Sequence, residues 1–223
     1  MPLTQYRFRT AVSAFFEMPT ELAGSLLPPH LRPLEVHHGS GIFAVTAFDF
    51  TESMVGSYQE IVLAVIVPPV VHPNAQFPKS AFFPFLLGTS TKASRQHAIE
   101  RWHLPHYMAD VGVDFAQRDG TLDVGVREGR RPVLDLSVAE HRWEKADDLY
   151  QSFMVDPASQ YKVDIHMRGT FSEHEEERGR LVLHAHPMTE RLDGDEIETV
   201  PFRELWMKDG MQTFEELETL APV

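Results

Sequence analysis

Residues 91–107 read TKASRQHAIERWHLPHY, and they change character twice. Ala93, Ala98 and Ile99 with Trp102 make one apolar side at helical spacing, which predicts a helix over Thr91–Trp102. Leu104-Pro105 ends it, because the residue before a proline is pushed out of helical backbone. His103 and His106 then flank the proline at the mouth of HYMADVGVDF (106–115), a stretch patterned as a strand.

Working outward, almost everything else reads as strand. YRFRTAVSAFF (6–16), GIFAVTAFDF (41–50), SYQEIVLAVIV (57–67) and AFFPFLLGTS (81–90) lie upstream, and Pro84 in the last of them signals an edge or a bulge. LDVGVRE (122–128), VLDLSVAE (133–140), YKVDIHMRGTF (161–171) and RLVLHAHP (180–187) follow, separated by Asp-Gly and Gly-Arg-Arg turns. Two more short helices are expected. PTELAGSLLPP (19–29) pairs Leu22 with Leu26 before Pro28-Pro29, and QTFEELETL (212–220) is amphipathic. There is no internal repeat or linker, so the expectation is one mainly β domain over 1–223, an antiparallel closed sheet or barrel with a few short peripheral helices.

Composition narrows the function. The chain has 223 residues, 33 acidic against 20 basic side chains, and a formal charge of −13. A surface this acidic repels phosphate backbones and anionic lipid, so nucleic acid and membrane are not expected partners. No cysteine is present, which excludes disulfides, thiolate nucleophiles and Cys-bound metal. IVLAVIVPPVV (61–71) is too short to span a bilayer and is broken by Pro68 and Pro69. The N-terminus MPLTQYRFRT has no signal-peptide pattern, so a soluble, cytoplasmic protein is expected.

Candidate chemistry is sparse. Glu60 opens an apolar strand, where desolvation would raise its pKa toward acid/base work. His184 and His186 share a strand face, yet no zinc pattern accompanies them and no metal site is expected. His37 and His38 point to opposite faces if extended. GxSxG, GxxxxGK[ST] and a strand-linked GxGxxG are absent. EHEEE (173–177) reads as a solvated hairpin turn. Lysines number five: Lys79, Lys92, Lys145, Lys162 and Lys208.

Taken in order, LPPHLRPLEV (27–36), SYQEIVLAVIV, FLLGTSTKASRQHAIERWHLPHYMADV (85–111) and LVLHAHPMTERL (181–192) resemble segments of the acetoacetate decarboxylase-like family. The resemblance implies a cone-shaped barrel, a homo-oligomer and chemistry without a cofactor. It places Glu60 on the family's active-site glutamate and Glu100 and Pro105 on a Glu and a Pro of its signature. Arg9 falls on an arginine that meets the substrate carboxylate, with Arg7 on the same strand face as an alternative. In that family two consecutive lysines follow the proline; the first forms a Schiff base and the second depresses its pKa. Here those positions hold His106 and Tyr107, and Ile99 replaces the signature arginine.

Imidazole cannot form an iminium with a ketone. The expectation is therefore lysine-free general acid/base chemistry of lyase, hydratase or tautomerase type on a small keto or enol carboxylic acid. His106, Glu60 and Tyr107 would be catalytic, with Arg9, Arg7 and Glu100 binding substrate. The alternative is a non-catalytic barrel that binds a small organic acid. A third option moves the amine elsewhere, Lys92 being nearest in sequence.

Overall fold

The computed structural model describes residues 3–192 and 194–222. β1 (Thr4–Pro19) runs into a one-turn helix, α1 (Thr20–Ser25), and then come β2 (Glu35–His37), β3 (Ser40–Glu52), β4 (Tyr58–Ile66) and β5 (Ser80–Thr89). α2 (Lys92–Trp102) separates these from β6 (Gly112–Arg118), β7 (Thr121–Glu128), β8 (Arg131–Ala139), β9 (Trp143–Val155) and β10 (Ser159–His174). β11 (Arg180–Leu183), β12 (Arg203–Phe214) and β13 (Glu218–Pro222) complete the chain.

Seven strands close into a barrel in the order β1-β12-β10-β9-β5-β4-β3, with β3 returning to β1 over an antiparallel register from Arg7↔Glu52 to Pro19↔Ser40. Closure removes the unpaired edges that an open sheet would expose. All the barrel pairings are antiparallel except β5–β9, which run parallel over Ser80↔Tyr150 to Phe82↔Ser152. The mainly β closed barrel read from the strand pattern is thus the observed architecture.

A second sheet, β11-β8-β7-β6, covers one outer flank of the barrel. Its Val124, Val126, Leu134 and Leu136 join Phe43, Val45, Ile61, Leu63 and Val65 of the barrel in one buried cluster. The Asp119-Gly120 turn of its first hairpin has φ of 44° and 77°, the left-handed pair that a two-residue hairpin requires. Pro84 does mark a bulge. β4 pairs Leu63 with Leu86 and then Ala64 with Pro84, leaving Phe85 as the extra residue.

Two local expectations are corrected. Residues 212–220 are not helical: Gln212–Phe214 finish β12 between β1 and β10, and β13 pairs with β10 from Ser159↔Pro222 to Lys162↔Glu218. Sheet pairing across the chain overrides the local amphipathic spacing. EHEEE is not a hairpin turn either. Glu173 and His174 belong to β10, and the segment after them crosses to the second sheet. Glu173 is half-buried and accepts from Lys79 and Arg203.

α2 forms as expected, with Thr91 Oγ1 accepting from Ser94 N at 3.1 Å as its N-cap. Its buried side is Ser94, Ala98 and Trp102, while Ala93 and Ile99 are exposed. His103 takes the left-handed C-cap conformation at φ 52°, and Leu104 N reaches back to Ala98 O at 3.2 Å. No helix among the described residues is long and apolar enough to cross a membrane.

Candidate functional site

A cavity of about 110 Å³ lies inside the barrel, and all seven barrel strands contribute to its wall. Contributions come at period two: Thr46 and Phe48, Glu60 and Val62, Tyr150 and Ser152, Ile165 and Met167, Leu205 and Met207. Successive side chains of a strand alternate between faces, so one face of each strand looks inward. The wall is largely aliphatic and aromatic. Its hydroxyl groups are partly committed, with Ser13 Oγ and Thr46 Oγ1 2.8 Å apart and Ser152 Oγ donating to Met154 Sδ at 3.3 Å.

Glu60 is the one carboxylate among the described wall residues, and no Lys, Arg or His joins it there. It is partly accessible, and it lines both the cavity and a second chamber of about 40 Å³. Burial therefore dominates its chemistry: the carboxyl is pushed up to about 8, against a downward pull from the Tyr58 phenol on the same strand face. Burial, and then the nearby Glu60, push the Tyr58 phenol well above its ordinary value.

The second chamber sits under α2. Tyr6, Phe50, Tyr58, Glu60, His97 and Trp102 are among the residues around it. Tyr6 Oη accepts from Trp102 Nε1 at 3.0 Å and lies 2.6 Å from His97 Nε2. Tyr6 is pushed up to about 12, chiefly by burial. His97 is lowered, by burial first and then by the Arg101 guanidinium.

The loop after α2 is pinned to β5 by two bonds, Leu87 N to Pro105 O at 2.9 Å and Tyr107 N to Leu87 O at 2.7 Å. This register puts Leu104 into the wall of the cavity, of the second chamber and of an outer depression near Leu26 and Met154. Leu104, not His106, is the side chain this loop gives to the cavity.

The residues singled out in the sequence are not gathered around Glu60. His106 Nδ1 donates to Tyr107 O at 2.5 Å, and its Nε2 is buried without a partner among the described residues. Burial lowers its pKa, and the charges acting on it are Arg95 and Asp110. Tyr107 donates to Glu128 at 2.8 Å, and Glu128 also meets His186 at 2.9 Å. Arg7 lies beside Glu52 and Arg9 beside Asp49, each at 3.5 Å and largely exposed. Glu100 is exposed on α2.

None of the five lysines lines the cavity. Lys79 is held by Asp148 and Glu173, Lys162 by Asp164 and Glu218, and Lys208 lies over Trp143 and Trp206. Lys92 and Lys145 are exposed. His184 and His186 bond separate carboxylates, Asp135 and Glu128. Tyr6, His97 and Leu104 escaped the sequence reading. Tyr6 and His97 are 91 residues apart, and nothing local marks either as a partner.

No family model matches the chain, and no curated protein matches it in sequence. Solved structures do match in shape. The acetoacetate decarboxylase of Legionella pneumophila subsp. pneumophila str. Philadelphia 1 superposes with a TM-score of 0.71 at 16% identity, covering 99% of this chain and 89% of that one. An acetoacetate decarboxylase-like enzyme from Sphingomonas wittichii RW1 gives 0.65 at 13% identity, covering 100% and 95%. The enduracididine biosynthesis enzyme MppR, complexed with pyruvate, gives 0.65 at 12% identity, covering 99% and 91%. The chain has the acetoacetate decarboxylase fold.

Proposed function

We propose that this protein is a lysine-free general acid/base catalyst that enolises or tautomerises a small uncharged carbonyl compound inside the barrel, with Glu60 moving the proton. The observation that carries the reading is the isolation of Glu60 in an apolar cavity, titrating near 8. A group poised near the working pH is an effective proton carrier in both directions. Enolisation removes the proton alpha to the carbonyl onto the Glu60 carboxylate; the C–H electron pair becomes the C=C double bond and the carbonyl π pair moves onto oxygen as an enolate. Reprotonation at carbon or oxygen returns that proton.

The absence of any lysine from the described wall argues against a Schiff base there. An organic-acid substrate would place a second carboxylate beside Glu60 with no wall cation to offset it, at a heavy desolvation cost. A neutral ketone avoids that cost. The cavity is somewhat smaller than the ~150 Å³ apolar cavity that holds benzene, so it fits a compound of about six non-hydrogen atoms or fewer. In this reading His106 and Tyr107 set the loop, and Arg7, Arg9 and Glu100 do not touch the substrate.

The test is proton exchange at the alpha carbons of methyl isopropyl ketone in D2O, followed by NMR. Wild type should exchange the probe at a rate that rises through pH about 8, as the carboxylate form appears. Glu60→Gln should lower the rate by roughly 10²–10⁴-fold. Exchange no faster than in buffer, or an E60Q variant as active as wild type, would sink the proposal. Pyruvate has a carboxylate where that ketone has an isopropyl group, and it should exchange poorly by comparison.

A further inference from the structure

A carboxyl set into the wall of a barrel cavity trades its proton with solvent by some route. We infer that Tyr6 and His97 form that route, a relay from the Glu60 chamber to the surface; its catalytic meaning rests on the acid/base reading above. The geometry is directional. Tyr6 Oη accepts the Trp102 indole hydrogen at 3.0 Å, which leaves its own hydrogen for His97 Nε2 at 2.6 Å. His97 is then the neutral tautomer that carries its hydrogen on Nδ1. Tyr6 is 2% exposed, whereas His97 is only half-buried and lies on the outer helix α2.

The inner end of the path is the 40 Å³ chamber, which Glu60, Tyr58, Tyr6 and His97 all help to line. A water needs only about 10–15 Å³ of such space and two or more polar partners, so the chamber can seat one between Glu60 and Tyr6. For a proton leaving, Glu60 gives its proton to the water and the water gives one to the free lone pair of Tyr6 Oη. Tyr6 passes its hydroxyl hydrogen to His97 Nε2, and the resulting imidazolium releases Nδ1–H to solvent. Every group regains its starting form when the chain runs once in each direction. Trp102 acts as a positioning residue, because its hydrogen bond keeps Tyr6 aimed at His97. The flanking Arg101 disfavours a resident charge on His97 while Glu100 favours it, so the imidazolium is a transient carrier.

The relay can be read without a substrate. The protein is held at a pH below the Glu60 titration and mixed rapidly with D2O. Infrared spectroscopy then follows the carboxylic acid band that disappears in E60Q as it moves to its deuterated position. Tyr6→Phe and His97→Ala should each slow that shift by roughly tenfold or more. Imidazole in the buffer should restore the rate in H97A and leave Y6F slow, a rescue that a mere packing defect would not show. Exchange in Y6F as fast as in wild type would overturn the relay, and H97A without imidazole rescue would overturn the part given to His97. Slow ketone exchange in wild type, with the infrared result as expected, would instead remove the acid/base reading and leave the path standing.

Discussion

The two faces of β4 follow opposite rules. Ile61, Leu63 and Val65 point outward into the cluster shared with the second sheet, and all three are fully buried. Glu60 and Val62, one step along the same backbone, point inward to an unfilled cavity. One face spends its side chains on close packing, where each lost methylene is felt. The other leaves a cavity and sets a carboxyl in its wall, an arrangement that weakens the fold. The contrast sets Glu60 apart more plainly than any motif in the chain does.

Four tests would break or sharpen that contrast. The largest effect belongs to the packed face. Leu63→Ala should cost about 2–5 kcal/mol in urea unfolding, and Val62→Ala roughly 1 kcal/mol, since its side chain already borders empty space. Equal losses would mean that the cavity is not open in solution.

Next comes Glu60→Gln. The folded carboxyl titrates near 8 against an ordinary 4.5. Between those values the folded state binds more protons than the unfolded one, so wild-type stability must fall as pH rises through that window. E60Q escapes this. It should match wild type near pH 4 and exceed it above pH 8 by on the order of a few kcal/mol. A constant difference across the range would contradict the burial of Glu60.

A gain of function is the third. Leu104→Lys should put an amine into the cavity wall and make the protein trappable by borohydride with methyl isopropyl ketone. His106→Lys should not, because His106 is absent from that wall. Trapping by H106K alone would reverse the assignment of the loop. The smallest effect is expected from Leu104→Ala, which should admit a ketone about two or three carbons longer than wild type accepts, read as a modest thermal shift.

Much of this was legible in the sequence. Strand alternation, the Asp119-Gly120 turn, the Pro84 bulge and the α2 limits all depend on local backbone preferences, and the fold class follows from them. Glu60 could be picked out because a carboxyl in an apolar strand is conspicuous. What escaped depends on contacts between distant segments. Whether Leu104 or His106 enters the cavity is decided by two bonds to Leu87, and a two-residue shift in that bridge would put His106 in Leu104's place. Residues 212–220 carry a helical spacing of apolar side chains, but Phe214 and Leu217 meet Trp102 from a strand and its exit. Tyr6 and His97 meet only because the first strand passes beneath α2.

The titration of Glu60 itself is the most direct test of the account. Carboxyl-labelled glutamate, with E60Q to assign the signal, lets carbon-13 NMR follow that one group from pH 4 to pH 10. A midpoint near 8 is the predicted result. A midpoint in the ordinary glutamate range near 4.5 would place the carboxyl in water and contradict the cavity, the chemistry assigned to it and the need for a relay.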